Sequence, residues 1–275
     1  MRPVMPKVYL VAVYQVVCAA FLFCMLFSVY AAKTAQEISK SVSRHSISLN
    51  AYDHIAVLPN VLSPLAPTAV GAQWGDVYFG FAAANHSSGE DNVNGVLVVG
   101  FGIGDPEHVI GLDVSMAVTS INPADGGFAK DRHVDLKLHR RLPYQSAIAV
   151  GVENLLASGL DRDFSKTYYL VLTKDFQVTE RQLSISLGIG NGRFRSQEDI
   201  NIDKSSIGVF ADVSIGITDW LDIFADWTGH AVSAGVSLQP VKKLPLTLTV
   251  AALDIGKSAV STVPIAVGLG FTHRF

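Results

Sequence analysis

The sequence predicts an all-β protein, a closed antiparallel barrel of about 12 strands. Three observations support this fold class. Apolar and polar residues alternate with period 2 across residues 76–275, which is typical of extended strands. One face of each strand is aliphatic while the other is built from small residues, and the links between strands are alternately short and long.

The N-terminus predicts export and divides the chain into three parts. Arg2 and Lys7 precede an apolar run over residues 8–30, and small residues follow at Ala31 and Ala32. This order is typical of a secretory signal, so we assign residues 1–31 to a signal peptide. The run is also long enough to span a bilayer, which leaves an uncleaved anchor as an alternative. Residues 32–71, polar at first and then proline-rich, are predicted to be a periplasmic leader or partial plug, and residues 72–275 the barrel.

Twelve segments carry the strand pattern. The sixth is strand-like, but its inward-facing positions are not clear from the sequence. The predicted strands are residues 76–84, 97–103, 110–119, 133–139, 147–153, 168–176, 183–190, 208–217, 221–228, 232–238, a segment beginning at 246, and 263–275.

The composition of the two faces favours a membrane barrel over a water-soluble sandwich. In the third segment Leu112, Val114 and Met116 alternate with Asp113 and Ser115. A soluble sheet would show lysine, glutamate and threonine on its polar face, whereas here glycine, alanine and serine dominate. Small residues with scattered carboxylates suit an enclosed lumen, and the aliphatic face suits lipid, so the barrel is predicted to be transmembrane.

The links give an independent indication. Transmembrane barrels alternate short periplasmic turns with longer outer loops. Short links are expected near residues 104–107, 142–144, 178–180, 218–220 and 240–245, and longer ones between them, except for a short link near Gly229. An even strand number then places the start of the first strand and the end of the last strand on the same side of the membrane, the periplasmic side.

Composition excludes several function classes. Only 16% of the 275 residues are charged, and removal of the signal leaves 19 basic against 24 acidic residues, so nucleic acid is not an expected partner. Both cysteines lie in the signal, and the eight histidines show no metal-ligand spacing, so no metal or cofactor is predicted. The glycines at 100, 102, 104, 188, 190 and 192 lack the following helix that a dinucleotide site requires.

Two sets of side chains are candidates for the lumen and the membrane boundary. The lumen candidates lie on the small-residue face and are Asp113, Asp135, Lys137, His139, Glu153, Asp212, Asp222 and Asp226. They would form either a polar path or a network of paired charges that fills the interior. The girdle candidates are aromatic residues near strand ends, namely Trp74, Tyr144, Tyr168, Trp220, Trp227 and Phe275.

The C-terminal segment carries a resemblance to known proteins. Gly270, Phe271, His273 and the terminal Phe275 lie on an alternating strand that resembles the assembly signal of bacterial outer-membrane proteins. The stretches at 73–78, 100–106, 136–140 and 224–229 resemble a family of bacterial outer-membrane barrels without an assigned function, with a fainter likeness to barrels associated with exopolysaccharide export. The resemblance implies lipids of the outer membrane and the barrel-assembly machinery as partners, and it supplies no catalytic motif.

We therefore expect a non-enzymatic protein of the bacterial outer membrane. It would be a narrow pore for small polar solutes or a structural or assembly component of the envelope, with polysaccharide as a further candidate ligand. A catalytic group assembled from Ser115 or Ser214 with His139 has no motif support. The alternative from another class is a periplasmic, ligand-binding β-sandwich held by an uncleaved N-terminal helix.

Overall fold

The computed structural model describes residues 66–84, 94–119, 121, 128–159, 166–178, 180–241, 244–255 and 263–275. The predicted signal peptide and all of the predicted leader before residue 66 lie outside these ranges. No helix in the described part of the chain has the length and apolar character needed to cross a membrane.

Twelve strands form the fold, as predicted. They are β1 (Asp76–Ala84), β2 (Asn94–Gly104), β3 (Gly111–Val118), β4 (Arg132–Leu142), β5 (Ser146–Glu153), β6 (Thr167–Val178), β7 (Arg181–Gly190), β8 (Gly208–Thr218), β9 (Leu221–Trp227), β10 (Val232–Leu238), β11 (Leu246–Ile255) and β12 (Ile265–Arg274). A 3₁₀ helix (Gly192–Phe194) and a short helix α1 (Gln197–Asn201) lie between β7 and β8.

The strands close into a barrel. Each strand pairs antiparallel with its neighbours in sequence, and β1 completes the ring by pairing with β12 from Asp76↔Arg274 to Ala84↔Ala266. Closure gives both long sides of every strand a partner, so no sheet edge is left open to an apolar solvent. A two-layer sandwich, the alternative fold, is therefore excluded.

The aliphatic face lies outside the barrel. Along β7, Ser184, Ser186 and Gly188 are buried, while Ile185 and Leu187 between them are 41% and 60% exposed. The same alternation runs along β1 and β12. Fully burying a leucine or phenylalanine is worth about 1.5–3 kcal/mol, so a continuous apolar exterior of this extent is unfavourable in water. The fold is that of outer-membrane β-barrels, whose outer surface meets lipid.

Strand β6 resolves the one segment whose inward parity is unclear from sequence. Thr167, Tyr169, Val171 and Thr173 are buried, whereas the residues between them are exposed. Tyrosine and valine therefore occupy inner positions here, which is why the inner face of this segment lacks the small-residue signature.

The two ends of the barrel differ in their links. The end that carries Asp76 and Phe275 has the short links 105–110, 143–145, 179–180, 219–220 and 239–245, and we call it the turn end. The opposite end, the loop end, carries the longer links, of which only 228–231 is short. This matches the alternation that the sequence predicts.

Candidate functional site

The barrel lumen contains part of the chain itself. Residues 66–75, here called the lumen segment, precede β1 and lie within the ring, where Ala66, Pro67, Ala69 and Ala72 are at most 2% exposed. These positions belong to the end of the predicted leader and the residues that join it to β1. Eight-stranded barrels are filled by side chains alone, so a 12-stranded ring leaves room for an additional segment.

Inner-face side chains hold the backbone of the lumen segment. The Ala69 amide donates to Thr173 Oγ1 (2.8 Å), and the Ala72 amide donates to Asp113 Oδ2 (3.2 Å). Lys137 Nζ donates to the Val70 carbonyl (2.7 Å), and His139 Nε2 donates to the Ala72 carbonyl (2.9 Å). Three strands, β3, β4 and β6, thus supply hydrogen-bond partners to the backbone of Ala69, Val70 and Ala72, which lie outside any strand.

The contacts give the lumen segment a direction. His139 pairs with Gly111, which pairs with Gly104 at the turn end, so Ala72 lies near that end. Ala66 instead packs in a cluster with Phe194, which belongs to the link at the loop end. The lumen segment therefore runs along the barrel from the loop end at Ala66 to the turn end at Asp76.

Small side chains are required along this path. A Cβ atom added to Gly71 would lie 2.7 Å from Lys137 Cε and 3.0 Å from Asp113 Oδ2. A Cβ atom on Gly102 of β2 would lie 2.2 Å from the Gln73 carbonyl oxygen. The glycines on both sides therefore set how closely the segment and the wall approach each other.

Two of the predicted lumen residues, Asp113 and Lys137, form the centre of a charge network. They pair across β3 and β4 with 3.6 Å between Lys137 Nζ and Asp113 Oδ2, and both are largely buried. Tyr78 donates its hydroxyl to Asp113 Oδ1 at 2.7 Å. Asp113 thus accepts from Tyr78 and from the lumen segment at once, which satisfies a carboxylate that would be costly to bury alone.

A second network lies nearer the loop end. Arg193 of the 3₁₀ helix makes two hydrogen bonds to Glu153, at 2.5 and 2.9 Å. Asp135 accepts from the Asn154 amide (2.9 Å) and faces His133 at 3.6 Å. The bidentate arginine fixes the 3₁₀ helix over the inner face, a role for Arg193 that the sequence did not indicate.

Three further predicted lumen residues, Asp212, Asp222 and Asp226, lie on the inner positions of β8 and β9. Asp212 and Asp226 are direct cross-strand partners, whereas Asp222 faces Gly216 and Ser237. Asp226 is 3% exposed. All eight predicted lumen residues therefore lie on the inner face, and three of them, Asp113, Lys137 and His139, hold the lumen segment by hydrogen bonds.

Aromatic rings fill the lumen by covering glycines on neighbouring strands. The cross-strand pairs are Tyr78–Gly100, Tyr169–Gly151, Phe210–Gly188 and Phe224–Gly235. In each pair a Cβ atom on the glycine would lie within 2.6 Å of the ring. These glycines therefore accommodate rings, which is the packing role expected for glycine inside a strand.

Three of the rings also contact one another at the loop end. Phe194 and Phe210 stack with 4.2 Å between their centroids, and Tyr169 meets both edge-on at 6.1–6.2 Å. Both phenylalanines are fully buried. The cluster narrows the lumen where the lumen segment begins at Ala66, and sequence patterning missed it because Phe194 lies in a link.

The predicted girdle residues are exposed at both ends of the barrel. Trp74, Tyr144, Trp220 and Phe275 lie at the turn end and are 50–87% exposed, whereas Tyr168 and Trp227 lie at the loop end and are 53% and 42% exposed. Two levels of aromatic side chains on an apolar exterior fit the two interfaces of a bilayer.

The predicted assembly residues lie on the closing strand. Phe271 and His273 point outward from β12, and Gly270 points inward. Phe275 follows the strand, and its amide donates to the Gly75 carbonyl at 3.1 Å. Arg274 binds Asp76 with two hydrogen bonds of 2.6 and 3.0 Å, so an ion pair joins the ends of the first and last strands.

The turn between β2 and β3 carries a hydrogen-bonded pair of side chains outside the strands. His108 Nδ1 and Asp105 Oδ2 are 2.6 Å apart, and the Asp105 side chain also accepts the amides of Glu107 and His108. The hydrogen bond from His108 lowers the pKa of Asp105 below its usual value, with the two amides acting in the same direction. The pair organises the turn between β2 and β3.

The residues weighed for catalysis do not come together. His139 pairs with Gly111, four residues along β3 from Ser115, which is about 13 Å at the rise of a strand. Its ring nitrogen is also engaged by the lumen segment. In the part of the chain that the structure describes, no three histidine, cysteine, aspartate or glutamate side chains are grouped to hold a metal ion.

Neither a protein-family model nor a curated protein sequence matches this chain. Solved structures similar to it include outer membrane phospholipase A from Escherichia coli, with 9% identity, a TM-score of 0.42, and coverage of 74% of this chain and 98% of that one. A second similar structure is a Salmonella typhi outer membrane phospholipase dimer with bound calcium. It has 10% sequence identity and a TM-score of 0.43, and the match covers 74% of this chain and 91% of that one. Neither is a barrel associated with exopolysaccharide export, so that fainter likeness has no counterpart in these two structures.

Proposed function

We propose that this protein is a barrel of the bacterial outer membrane whose lumen is closed by its own lumen segment, so that it acts as a structural envelope component rather than a permanently open pore. The observation that carries the proposal is the attachment of the segment's backbone to Thr173, Asp113, Lys137 and His139. Four side chains from three strands hold one stretch of chain across the lumen.

The strength of this attachment supports a stable closure. Two of the four anchors, Asp113 and Lys137, form an ion pair with each other, and a hydrogen bond to a charged group contributes about 1.5–3 kcal/mol. Even with strong non-additivity, loss of the segment from the lumen would cost several such bonds and expose the buried alanines. The aromatic cluster of Tyr169, Phe194 and Phe210 packs against Ala66 of the segment at the loop end.

The exterior supports the proposed location and partners. The outward aliphatic face and the aromatic residues at both ends would contact outer-membrane lipids. We propose that Gly270, Phe271, His273 and Phe275 form the strand recognised by the barrel-assembly machinery. Passage of a small polar solute would require the lumen segment to leave, and no catalytic step is part of the proposal.

Single-channel recording in planar bilayers tests the closure. The full chain should give no steady current, whereas a variant lacking residues 66–73 should give discrete conductance steps. Heat-modifiable migration on a gel checks that both proteins are folded barrels. A steady current from the full chain would contradict the closure and favour the narrow pore, and a folded deletion variant without current would show that the segment is not the seal.

A further inference from the structure

Three inner-face side chains form a row across consecutive strands near the loop end. Asp212 of β8 pairs with Asp226 of β9, and Asp226 pairs with Ser233 of β10. Directly opposed residues on one face have Cβ atoms about 4.5–5.5 Å apart, so the oxygens of neighbouring members can reach a common point. Asp226 is 3% exposed and Ser233 is 1% exposed.

Two members of the row, Asp226 and Ser233, lack hydrogen-bond partners within the part of the chain that the structure describes. Among the described residues, neither carboxylate oxygen of Asp226 nor the Ser233 hydroxyl has one. Buried polar groups are nearly always paired, and leaving an ionised carboxylate unpaired costs several kcal/mol. The Ser233 hydroxyl is thus a neutral buried oxygen that lacks a partner in the described ranges, in addition to the carboxylate oxygens of Asp226.

The surrounding charges do not neutralise the row. Like charges directly opposed across strands repel each other, as Asp212 and Asp226 do. The nearby cation Arg193 is committed to Glu153 through two hydrogen bonds, and Asp254 adds another negative charge to the field at Asp226. The row therefore combines negative charge, oxygen donors and missing partners.

We propose that Asp212, Asp226 and Ser233 bind a hard divalent cation, for which Ca²⁺ is the best match. Two carboxylates balance its charge, and a hydroxyl is a suitable neutral oxygen ligand. Calcium accepts six to eight oxygens in irregular geometry and would complete its shell with water, whereas Mg²⁺ demands a near-ideal octahedron. The cation would join β8, β9 and β10 near the short link 228–231, which connects β9 to β10.

The lumen segment lies next to this site on one side. Its first described residue, Ala66, lies with its backbone amide close to Asp226, although neither carboxylate oxygen is hydrogen-bonded. A bound cation would therefore be enclosed between the barrel wall and the segment. The cation site is nevertheless a property of the wall, and it does not depend on whether the segment seals the lumen.

Asp222 provides a matched control. It lies on the inner face of the same strand, four residues from Asp226, or about 13 Å toward the turn end. Its cross-strand neighbours are Gly216 and Ser237, so it has no opposed carboxylate. Asp222→Asn removes the same charge from the same face without touching the row.

Calorimetric titration with CaCl₂ tests the proposal, using the full chain folded in a non-ionic detergent and first treated with EDTA. We expect saturable binding by the wild type, at least 10-fold weaker binding by Asp226→Asn and by Asp212→Asn, and a change of less than two-fold in Asp222→Asn. Calcium should also raise the unfolding temperature of the wild type but not of the two row variants.

Two outcomes would overturn the proposal. One is the absence of saturable calcium binding by the wild type, which would leave a proton shared between the two carboxylates as the neutralising species. The other is a loss of calcium affinity in Asp222→Asn equal to the loss in the two row variants. If Asp226→Asn fails to show heat-modifiable migration, Asp212→Asn decides the result. Because calorimetry needs no conductance, a conducting wild type would contradict the proposed closure and leave this inference intact.

Discussion

Substitution of Lys137 by methionine should loosen the lumen segment. Methionine keeps the length of the side chain but removes the hydrogen bond to the Val70 carbonyl and the ion pair with Asp113. A hydrogen bond from a charged donor is worth about 1.5–3 kcal/mol. Since about 1.4 kcal/mol corresponds to a factor of ten, opening of the segment should become about 10- to 100-fold more frequent.

Hydrogen exchange on the folded barrel measures this opening directly. The amides of Ala69 and Ala72 are both hydrogen-bonded to the wall, so each should exchange about 10- to 100-fold faster in Lys137→Met, while amides within β7 should be unaffected. Exchange should be followed by mass spectrometry of peptides that cover residues 66–75 and by NMR.

An exposed ion pair serves as the control. Arg181 and Asp219 are 3.2 Å apart with 40% and 61% of their side chains exposed, and such pairs contribute at most about 1 kcal/mol. Arg181→Met should leave exchange of the lumen segment unchanged. If the Ala69 and Ala72 amides exchange equally in Lys137→Met and in the wild type, the hydrogen bonds to the wall do not hold the segment.

Two further substitutions test the inner and outer faces. Gly188→Ala would place a Cβ atom 2.1 Å from the fully buried Phe210 ring, so we expect a loss of about 1–3 kcal/mol in urea unfolding from lipid vesicles, and a smaller loss for Gly216→Ala, where the nearest atom is 3.2 Å away. Leu187→Arg on the outer face of β7 should cost about 2–4 kcal/mol in the same assay, whereas Ile202→Arg, equally exposed but in a link, should change stability by less than about 0.5 kcal/mol. Equal costs for the two glycine variants would contradict the packing of Phe210 against Gly188, and equal costs for the two arginine variants would contradict the outward face of Leu187.

The strands could be predicted from the sequence because each one separates its two faces by composition. In β3 and β7 the small and aliphatic positions alternate without interruption, so the period, the faces and the links are all readable. The same reasoning fails for β6 because its inner face carries Tyr169 and Val171 in place of the glycine, alanine and serine that mark the inner faces of β3 and β7. Length and apolar content identify this strand, but only its neighbours decide its orientation.

The lumen segment could not be located from sequence for a physical reason. Its alanines, single proline and two glycines carry no periodic pattern, and its anchors lie 41 to 104 residues away along the chain. The same holds for Arg193 and Phe194, which lie in a link but turn into the lumen. The residues that fill the lumen are determined by contacts between positions far apart in the sequence, whereas the strands of the wall are determined by the local alternation of residues.

The location of residues 66–75 imposes an order on biogenesis. The ring is sealed by Asp76 and Arg274, 198 positions apart, so it can close only after the last strand has been synthesised. Because the chain immediately before the first strand already occupies the inside, the sheet must curl around its own polypeptide or admit it through an open end. A truncation that removes β12 would leave β1 and β11 each without a partner on one side, so closure of the ring requires this strand.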